Sequence, residues 1–423
     1  MQVRLQACGP SARKPRILFV AEAVSLAHVV RLALLAEALD PARYEIWFAS
    51  ARFPALVFAG TRFIRRRIVS QSPERTLARA ARAQRPWDEA VLAANVREEV
   101  QLLEEVRPEL VVGDFRLSLA ISAPLTGTPY ASLINAYWSP YAVRRSFPIP
   151  EHPLVKLLGV QRVAPRFAFA LPYVFRHFAR PINRLRKRHG LPALGGLLET
   201  LTFGDYTLYP DIPELAPTRD LPASHRYLGT LSWSPRVGLP GFWEQMDHSR
   251  PLVYVTLGSS GDLRALAPVL EAARTLPITM LVASARRSAP REVPPNVWIT
   301  DFLPGDLVAR RAALVICNGG STTGYQALEQ GTPVLGVPSH FDQYLASETI
   351  AGAGAGLYVR SGDASGSVIA AAVTRLLSED SFRNAARRLQ ASLQLWAAQH
   401  RFREFVDART AHSRHTCDTA CRQ

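Results

Sequence analysis

Twice along this chain, short unbroken apolar runs alternate with stretches of helical periodicity, and that recurrence limits the fold more than any other feature. In the first half, ILFV (17–20) precedes an Ala/Leu-rich helix from about Ser25 to Leu39. YEIWF (44–48), LVV (110–112), a helix from about Leu117 and YASLIN (130–135) follow. In the second half LVYVTL (252–257), ITMLVA (278–283), VWIT (297–300), ALVIC (313–317) and PVLGV (333–337) are separated by helical stretches, among them 321–330 and 343–351. Strands that are apolar throughout, instead of alternating, belong to parallel sheets covered by helices on both faces. The 423 residues are too many for one core. Two such sheets therefore predict an α/β chain of two Rossmann-like, doubly wound domains whose strand ends face a shared cleft.

The boundaries follow from composition. A first domain is expected over 14–215, with the Pro- and turn-rich run 211–241 reading as extended, and a linker over 216–249. A second domain is expected over 250–390, a C-terminal helix crossing back to the first domain over 391–412, and a disordered tail over 413–423.

Charge and cysteine content narrow the function classes. Cys8, Cys317, Cys417 and Cys421 are too scattered for a disulfide framework or a zinc site, which fits a reducing cytoplasm. No apolar run approaches the ~18 residues of a membrane span, and RKPRILFVAEA reads as the approach to a first strand, not as a signal peptide. The formal net charge is +15, and nearly all of the excess is arginine. It is densest over 144–189, where Arg144, Arg145, Lys156, Arg162, Arg166, Arg176, Arg180, Arg184 and Arg186 interleave with Phe147, Phe167, Phe169, Tyr173, Phe175 and Phe178. Such a mixture suits an anionic membrane surface or a solvated face over a few core aromatics. No nucleic-acid-binding motif accompanies it, so nucleic acid is not an expected partner.

Two loops carry the chemistry. Gly258-Ser259-Ser260-Gly261 follows one strand, and Asn318-Gly319-Gly320-Ser321-Thr322-Thr323 follows another, each leading into a helix. Free backbone N–H groups, hydroxyls and a helix dipole make such junctions anion sites, and two on neighbouring strands would hold a diphosphate.

From Asn318 through Gln326, Gly331, Pro333 and Pro338 to Asp342-Gln343, with Phe302-Leu303-Pro304 upstream, the sequence resembles the UDP-glycosyltransferase superfamily of GT-B fold, near its bacterial macrolide- and antibiotic-glycosylating branch. The resemblance covers both domains. It implies an inverting transferase that moves a hexose from a nucleotide-diphosphate sugar, uridine- or thymidine-linked, to a hydroxyl of an apolar small molecule or lipid. Carried over residue by residue, Ser259, Asn318, Gly319, Gly320, Ser321, Thr322 and Thr323 would meet the diphosphate. Phe302 would stack on the base, Gln326 would meet the ribose, and Asp342 and Gln343 would read the sugar hydroxyls. The chain departs from the family at Asn318 (histidine), Gln326 (glutamate) and Ala346 (asparagine).

The resemblance also implies the base. The family's Gly-His-x-x-Pro is here Ala27-His28-Val29-Val30-Arg31, and a carboxylate partner falls at Asp114. Histidine, with an ordinary pKa of ~6.5, can accept a hydroxyl proton near neutrality, and a carboxylate would stabilise the resulting imidazolium. On residue type alone, His28 could equally be a packed core histidine and Asp114 the N-cap of the following helix. Tyr137, Trp138, Tyr141 and Phe147 are expected in the acceptor pocket, core packing being the alternative. No Asp-x-Asp pair occurs, so no metal and no cofactor are expected, the nucleotide sugar being a co-substrate. Two other functions suit the same residues: a nucleotide-sugar epimerase or hydrolase, and a non-catalytic nucleotide-sugar-binding accessory protein.

Overall fold

The computed structural model describes residues 13–420 apart from 83, 86, 145, 152, 259, 260 and 287–291. The first domain holds β1 (Arg16–Ala21), β2 (Glu45–Ser50), β3 (Ile64–Arg67), β4 (Leu110–Asp114), β5 (Tyr130–Leu133), β6 (Tyr206–Tyr209) and β7 (His225–Tyr227) in the order β3-β2-β1-β4-β5-β6-β7. The second holds β8 (Leu252–Thr256), β9 (Thr279–Ala283), β10 (Val297–Thr300), β11 (Leu314–Cys317), β12 (Val334–Gly336) and β13 (Gly356–Tyr358) in the order β10-β9-β8-β11-β12-β13. Every pairing is parallel. Ile17, Leu18, Phe19 and Val20 are fully buried, as a strand covered on both faces requires.

Both sheets reverse direction of winding beside their first strand, between β1 and β4 and between β8 and β11. At such a switch point the loops leaving the two strands diverge and open a crevice. In the first sheet Ala21 pairs with Asp114, so the helix after β1 and the end of β4 share that crevice. In the second, Thr256 pairs with Cys317, which sets the Gly258 and Asn318 loops side by side.

Two expected boundaries shift. Residues 225–227, assigned to the linker, form β7, the edge strand of the first sheet, because Leu208 to Tyr209 of β6 still has an open edge to pair. The last helix is Ala398–Ala420, so helical backbone continues eight residues past 412, into the stretch expected to be disordered. That segment, SRHTCDTA, contains neither Gly nor Pro to end it. The same helix lies against the first domain: Phe402, Phe405 and Val406 pack with Phe19, Leu32 and Leu35, and Tyr44 donates to Asp407.

The domains also meet directly beside the cleft. Tyr344 donates to Glu151 at 2.5 Å, and Arg360 pairs with Glu151 at 3.2 Å while donating to the Ile149 carbonyl at 2.8 Å.

Candidate active site

The helix Leu26–Glu37 starts at Ser25, immediately after the turn that ends β1, and this places His28 in its first turn. His28 Nδ1 lies 2.8 Å from Asp114 Oδ1. A carboxylate oxygen only accepts, so Nδ1 carries the proton and Nε2 is the ring's basic nitrogen. Asp114 is the last residue of β4, and the following helix, Leu119–Thr126, has Ser118 at its N-cap position. The capping role for Asp114 is therefore excluded by position. Below the imidazole, Phe115 stacks at 5.0 Å with rings 5° from parallel. Its φ of 54° is a left-handed conformation that bulky residues rarely adopt.

Arg31, at the family's proline position, completes the constellation and was not anticipated. Its Nε and Nη2 donate to Asp114 Oδ2 and Oδ1 at 2.8 and 2.7 Å, and Nη1 donates to Asn135 Oδ1 at 2.6 Å. Burial by itself pushes the Asp114 carboxyl up, but Arg31 and His28 outweigh it and hold the group below the usual carboxylate range. The polar chain continues across the cleft. Asn135 Nδ2 donates to Asp211 at 3.0 Å, and Asp211 accepts from Tyr325 of the helix Ser321–Glu329 at 2.6 Å. Nothing in sequence spacing links Asn135, Asp211 and Tyr325; only their fully buried polar character would have drawn attention to them.

The second-domain side comes from the loops that follow β8 and β11. Gly319 has φ 79° and a Cβ there would collide with Ser347 Oγ, so only glycine fits. Asn318 Oδ1 accepts from Gly320 N at 3.1 Å and shapes the loop, and the helix Ser321–Glu329 has Gly320 at its N-cap, so among the described residues no N-cap side chain covers its first N–H groups. Phe302, Asn318, Gly320, Ser321, Thr322, Thr323 and Gln326 line one cavity with His28. Ser259 lies outside the described residues. Gln326 Nε2 donates to Trp233 O at 2.7 Å and Ser234 Oγ at 3.0 Å, leaving Oε1 as its acceptor. Asp342 and Gln343 open the helix Phe341–Gly352 and line the same cavity. Gln343 Oε1 is taken by Ser339 N at 2.9 Å, whereas its buried Nε2 has no partner among the described residues.

The four aromatics expected around the acceptor divide. Trp138 lines the cavity; Tyr137, Tyr141 and Phe147 do not. Tyr137 and Trp138 are buried, and both donate to Asp342 Oδ1, at 3.2 and 2.7 Å. Tyr141 meets His225 edge-on, and Phe147 is enclosed between Phe175 and Phe341. Tyr137 and Phe147 are taken up by packing against the second domain, and Tyr141 by packing on β7 within the first, which is the core-packing alternative for these three.

The apolar wall is instead the helix Val160–Arg188, which contributes Val163, Phe167, Ala170, Leu171, Val174 and Phe178. Trp87, Phe115 and Leu77 face it. The cavity is about 700 Å³ and runs from this apolar chamber, past His28, to the donor loops.

The family model for the erythromycin biosynthesis protein CIII-like C-terminal domain matches residues 268–400. A PGL/p-HBAD biosynthesis glycosyltransferase of Mycobacterium tuberculosis is 46% identical over 382 residues, covering 90% of this chain and 89% of that one. A PGL/p-HBAD biosynthesis rhamnosyltransferase of Mycobacterium bovis is 44% identical over 383 residues, covering 90% and 85%. A protein of Mycobacterium bovis described as an inactive PGL/p-HBAD biosynthesis glycosyltransferase is 45% identical over 265 residues, covering 62% and 72%. Among solved structures, the spinosyn rhamnosyltransferase SpnG complexed with thymidine diphosphate superposes with a TM-score of 0.67 at 19% identity, covering 93% of this chain and 100% of that one.

Proposed function

The chain belongs to the PGL/p-HBAD biosynthesis glycosyltransferases, and from that membership we propose that it moves a hexose from a uridine- or thymidine-diphosphate sugar to a hydroxyl of an apolar small molecule or lipid. The observation that carries this reading is the continuity of one cavity: polar donor loops at one end, an apolar chamber at the other, and His28 between them.

The chemistry follows from that order. An acceptor hydroxyl in the apolar chamber gives its proton to His28 Nε2, and its oxygen attacks the anomeric carbon from the face opposite the diphosphate. The new glycosidic C–O bond forms as the bond to the diphosphate oxygen breaks, and the configuration inverts. Asp114, kept ionised by Arg31, stabilises the imidazolium through Nδ1. The uncapped N-terminus of Ser321–Glu329 stabilises the departing diphosphate. No cofactor enters this scheme.

Residues 144–189 supply a route for a lipid. The helix that walls the chamber turns Phe169 and Tyr173 outward, 78% and 63% exposed with ring centroids 6.2 Å apart, and Leu157 of the preceding helix is 79% exposed. Arg162, Arg166, Arg176 and Arg180 are exposed along it. Cations beside inserted rings favour an anionic bilayer, each contributing about 1 kcal/mol near the surface. Among the described residues no helix is long and apolar enough to cross a membrane. Cosedimentation with phosphatidylglycerol vesicles, abolished by Phe169→Ser with Tyr173→Ser, tests the bilayer contact.

The function is tested by incubating the chain with labelled UDP- and TDP-hexoses and a lipid extract. Label entering the organic phase with inverted anomeric configuration is expected. A changed sugar configuration or hydrolysis with donor alone would favour the epimerase or hydrolase. Donor binding without transfer to any acceptor would favour the accessory role, the reading to which the inactive relative lends weight.

A further inference from the structure

We propose that the imidazole of His340 is the second-domain cation that receives the donor diphosphate, filling the electrostatic role that the family assigns to a histidine where this chain has Asn318. The inference rests on the donor reading above. It starts from an orphaned atom: among the described residues, His340 Nε2 is buried without a hydrogen-bond partner. A buried nitrogen in that condition is costly unless something else satisfies it, and sites for ligands are where such costs are tolerated.

Its position supports a ligand. His340 is the N-cap of Phe341–Gly352, but its side chain makes no capping bond to that helix. It lines the cavity together with Asn318, Gly320 and Ser321 on one side and His28 on the other. Asn318 cannot supply the charge, because it is a neutral amide whose Oδ1 is already engaged by Gly320 N at 3.1 Å. Two helix N-termini, at Ser321 and Phe341, thus flank one imidazole able to become cationic, an arrangement suited to an anion with several oxygens.

The charged groups around His340 set its response. Burial holds its pKa below the ordinary histidine range, Asp342 on the same helix raises it, and His28 on the facing helix, backed by Asp114 and Arg31, lowers it. The ring is therefore neutral at pH 7 before donor arrives. A dianionic diphosphate beside Nε2 favours the imidazolium, so donor binding takes up a proton.

Calorimetric titration of the full chain with UDP-glucose and TDP-glucose, near pH 7 in two buffers of different ionisation enthalpy, measures that proton directly. The diphosphate of a nucleotide sugar is a diester with no group titrating near neutrality, so any uptake belongs to the protein. Wild type should take up about 0.3 proton or more per bound nucleotide sugar. His340→Gln should abolish the uptake and weaken binding about tenfold, whereas His28→Gln should keep it. Binding by wild type without uptake overturns the proposal and needs no variant to fold. Uptake that survives in His340→Gln, or that disappears in His28→Gln instead, also overturns it. Failure of wild type to bind either nucleotide sugar would strike at the donor reading itself, a result distinct from binding without a proton.

Discussion

Arg31 grips both carboxylate oxygens of Asp114, at 2.8 and 2.7 Å, while His28 Nδ1 shares the second of them at 2.8 Å. The base is thus supported by a carboxylate that is itself fixed, and Asp114 cannot rotate to present a different edge. Arg31 also binds Asn135 at 2.6 Å, which reaches Asp211 and, through it, Tyr325 in the donor helix. One buried polar chain connects the base to the element that receives the nucleotide.

Arg31→Gln should lower kcat by about 10- to 100-fold with a much smaller loss of affinity for nucleotide diphosphate, because Arg31 touches the base's support directly and the donor helix only through Asn135 and Asp211. Breaking a buried pair by removing one partner costs about 3–5 kcal/mol, so thermal unfolding should move down as well. Arg31→Lys, which restores charge without the two-pronged grip, should recover stability more than kcat. Parallel measurement of kcat, nucleotide affinity and Tm separates these effects.

The Asp114 carboxyl titrates lower in the folded chain than in the unfolded one. A depressed carboxylate contributes stability that is present above its unfolded pKa of ~3.9 and is lost as pH falls through the folded value. Chemical denaturation of wild type and Asp114→Asn should therefore show a wild-type advantage that is constant near neutrality and shrinks below pH ~4. Asp211 and Glu99, both pushed up by burial, act in the opposite sense but are common to both chains and cancel in the difference. A difference independent of pH would contradict the ionised assignment.

The strands and the two glycine loops were legible because each depends on a local signal, apolar runs and a strand–glycine–helix junction, whereas the His28–Asp114 pair was legible only through the family resemblance, residue type alone leaving a core histidine and an N-cap open. Arg31 was not, since an arginine on an Ala/Leu helix reads as solvent-facing until the register of β1 against β4 brings a carboxylate to it. The acceptor wall was hidden for a related reason. The helix Val160–Arg188 contains three prolines and many arginines, so its basic face dominated the reading while Ala170, Leu171 and Val174 formed the chamber. Tyr137 and Phe147 looked like pocket residues because composition cannot distinguish an aromatic that faces a ligand from one that faces the other domain.

Ala170 lines the apolar chamber on that helix, and its small side chain leaves room for an acceptor. Ala170→Trp should raise the KM for a lipid acceptor at least tenfold with nucleotide-sugar affinity unchanged. Equal losses in both would place the acceptor elsewhere.

Asp342→Asn should separate sugar reading from cleft closure. The amide oxygen can still accept from Trp138 Nε1, which now lies 2.7 Å from Asp342 Oδ1, so the contact across the cleft survives. A sugar hydroxyl loses a charged acceptor, for which hydrogen bonds contribute about 1.5–3 kcal/mol. Affinity for the nucleotide sugar should drop about tenfold or more, and affinity for the free nucleotide diphosphate should not change. An equal drop for both ligands would remove Asp342 from the sugar subsite.

The last prediction concerns Asn318, which stands where the family has a histidine. Its Oδ1 holds the turn through Gly320 N at 3.1 Å, and the loop lies at the start of an uncapped helix that must receive a diphosphate. Asn318→Asp keeps the oxygen that shapes the turn but adds a negative charge at the phosphate site. Asn318→Ala removes the turn bond and the amide while leaving the site neutral. If the loop holds phosphate, the alanine variant should bind the nucleotide sugar about tenfold more weakly, ~1.4 kcal/mol, and the aspartate variant more weakly still despite its better-preserved loop. Asn318→His should be tolerated. Calorimetry with nucleotide sugar and with the free nucleoside decides the matter, because the nucleoside carries no phosphate and its affinity should be the same in all three variants. A loss for nucleoside as large as that for nucleotide sugar would mean that Asn318 supports the loop alone, and that the diphosphate is met by other groups.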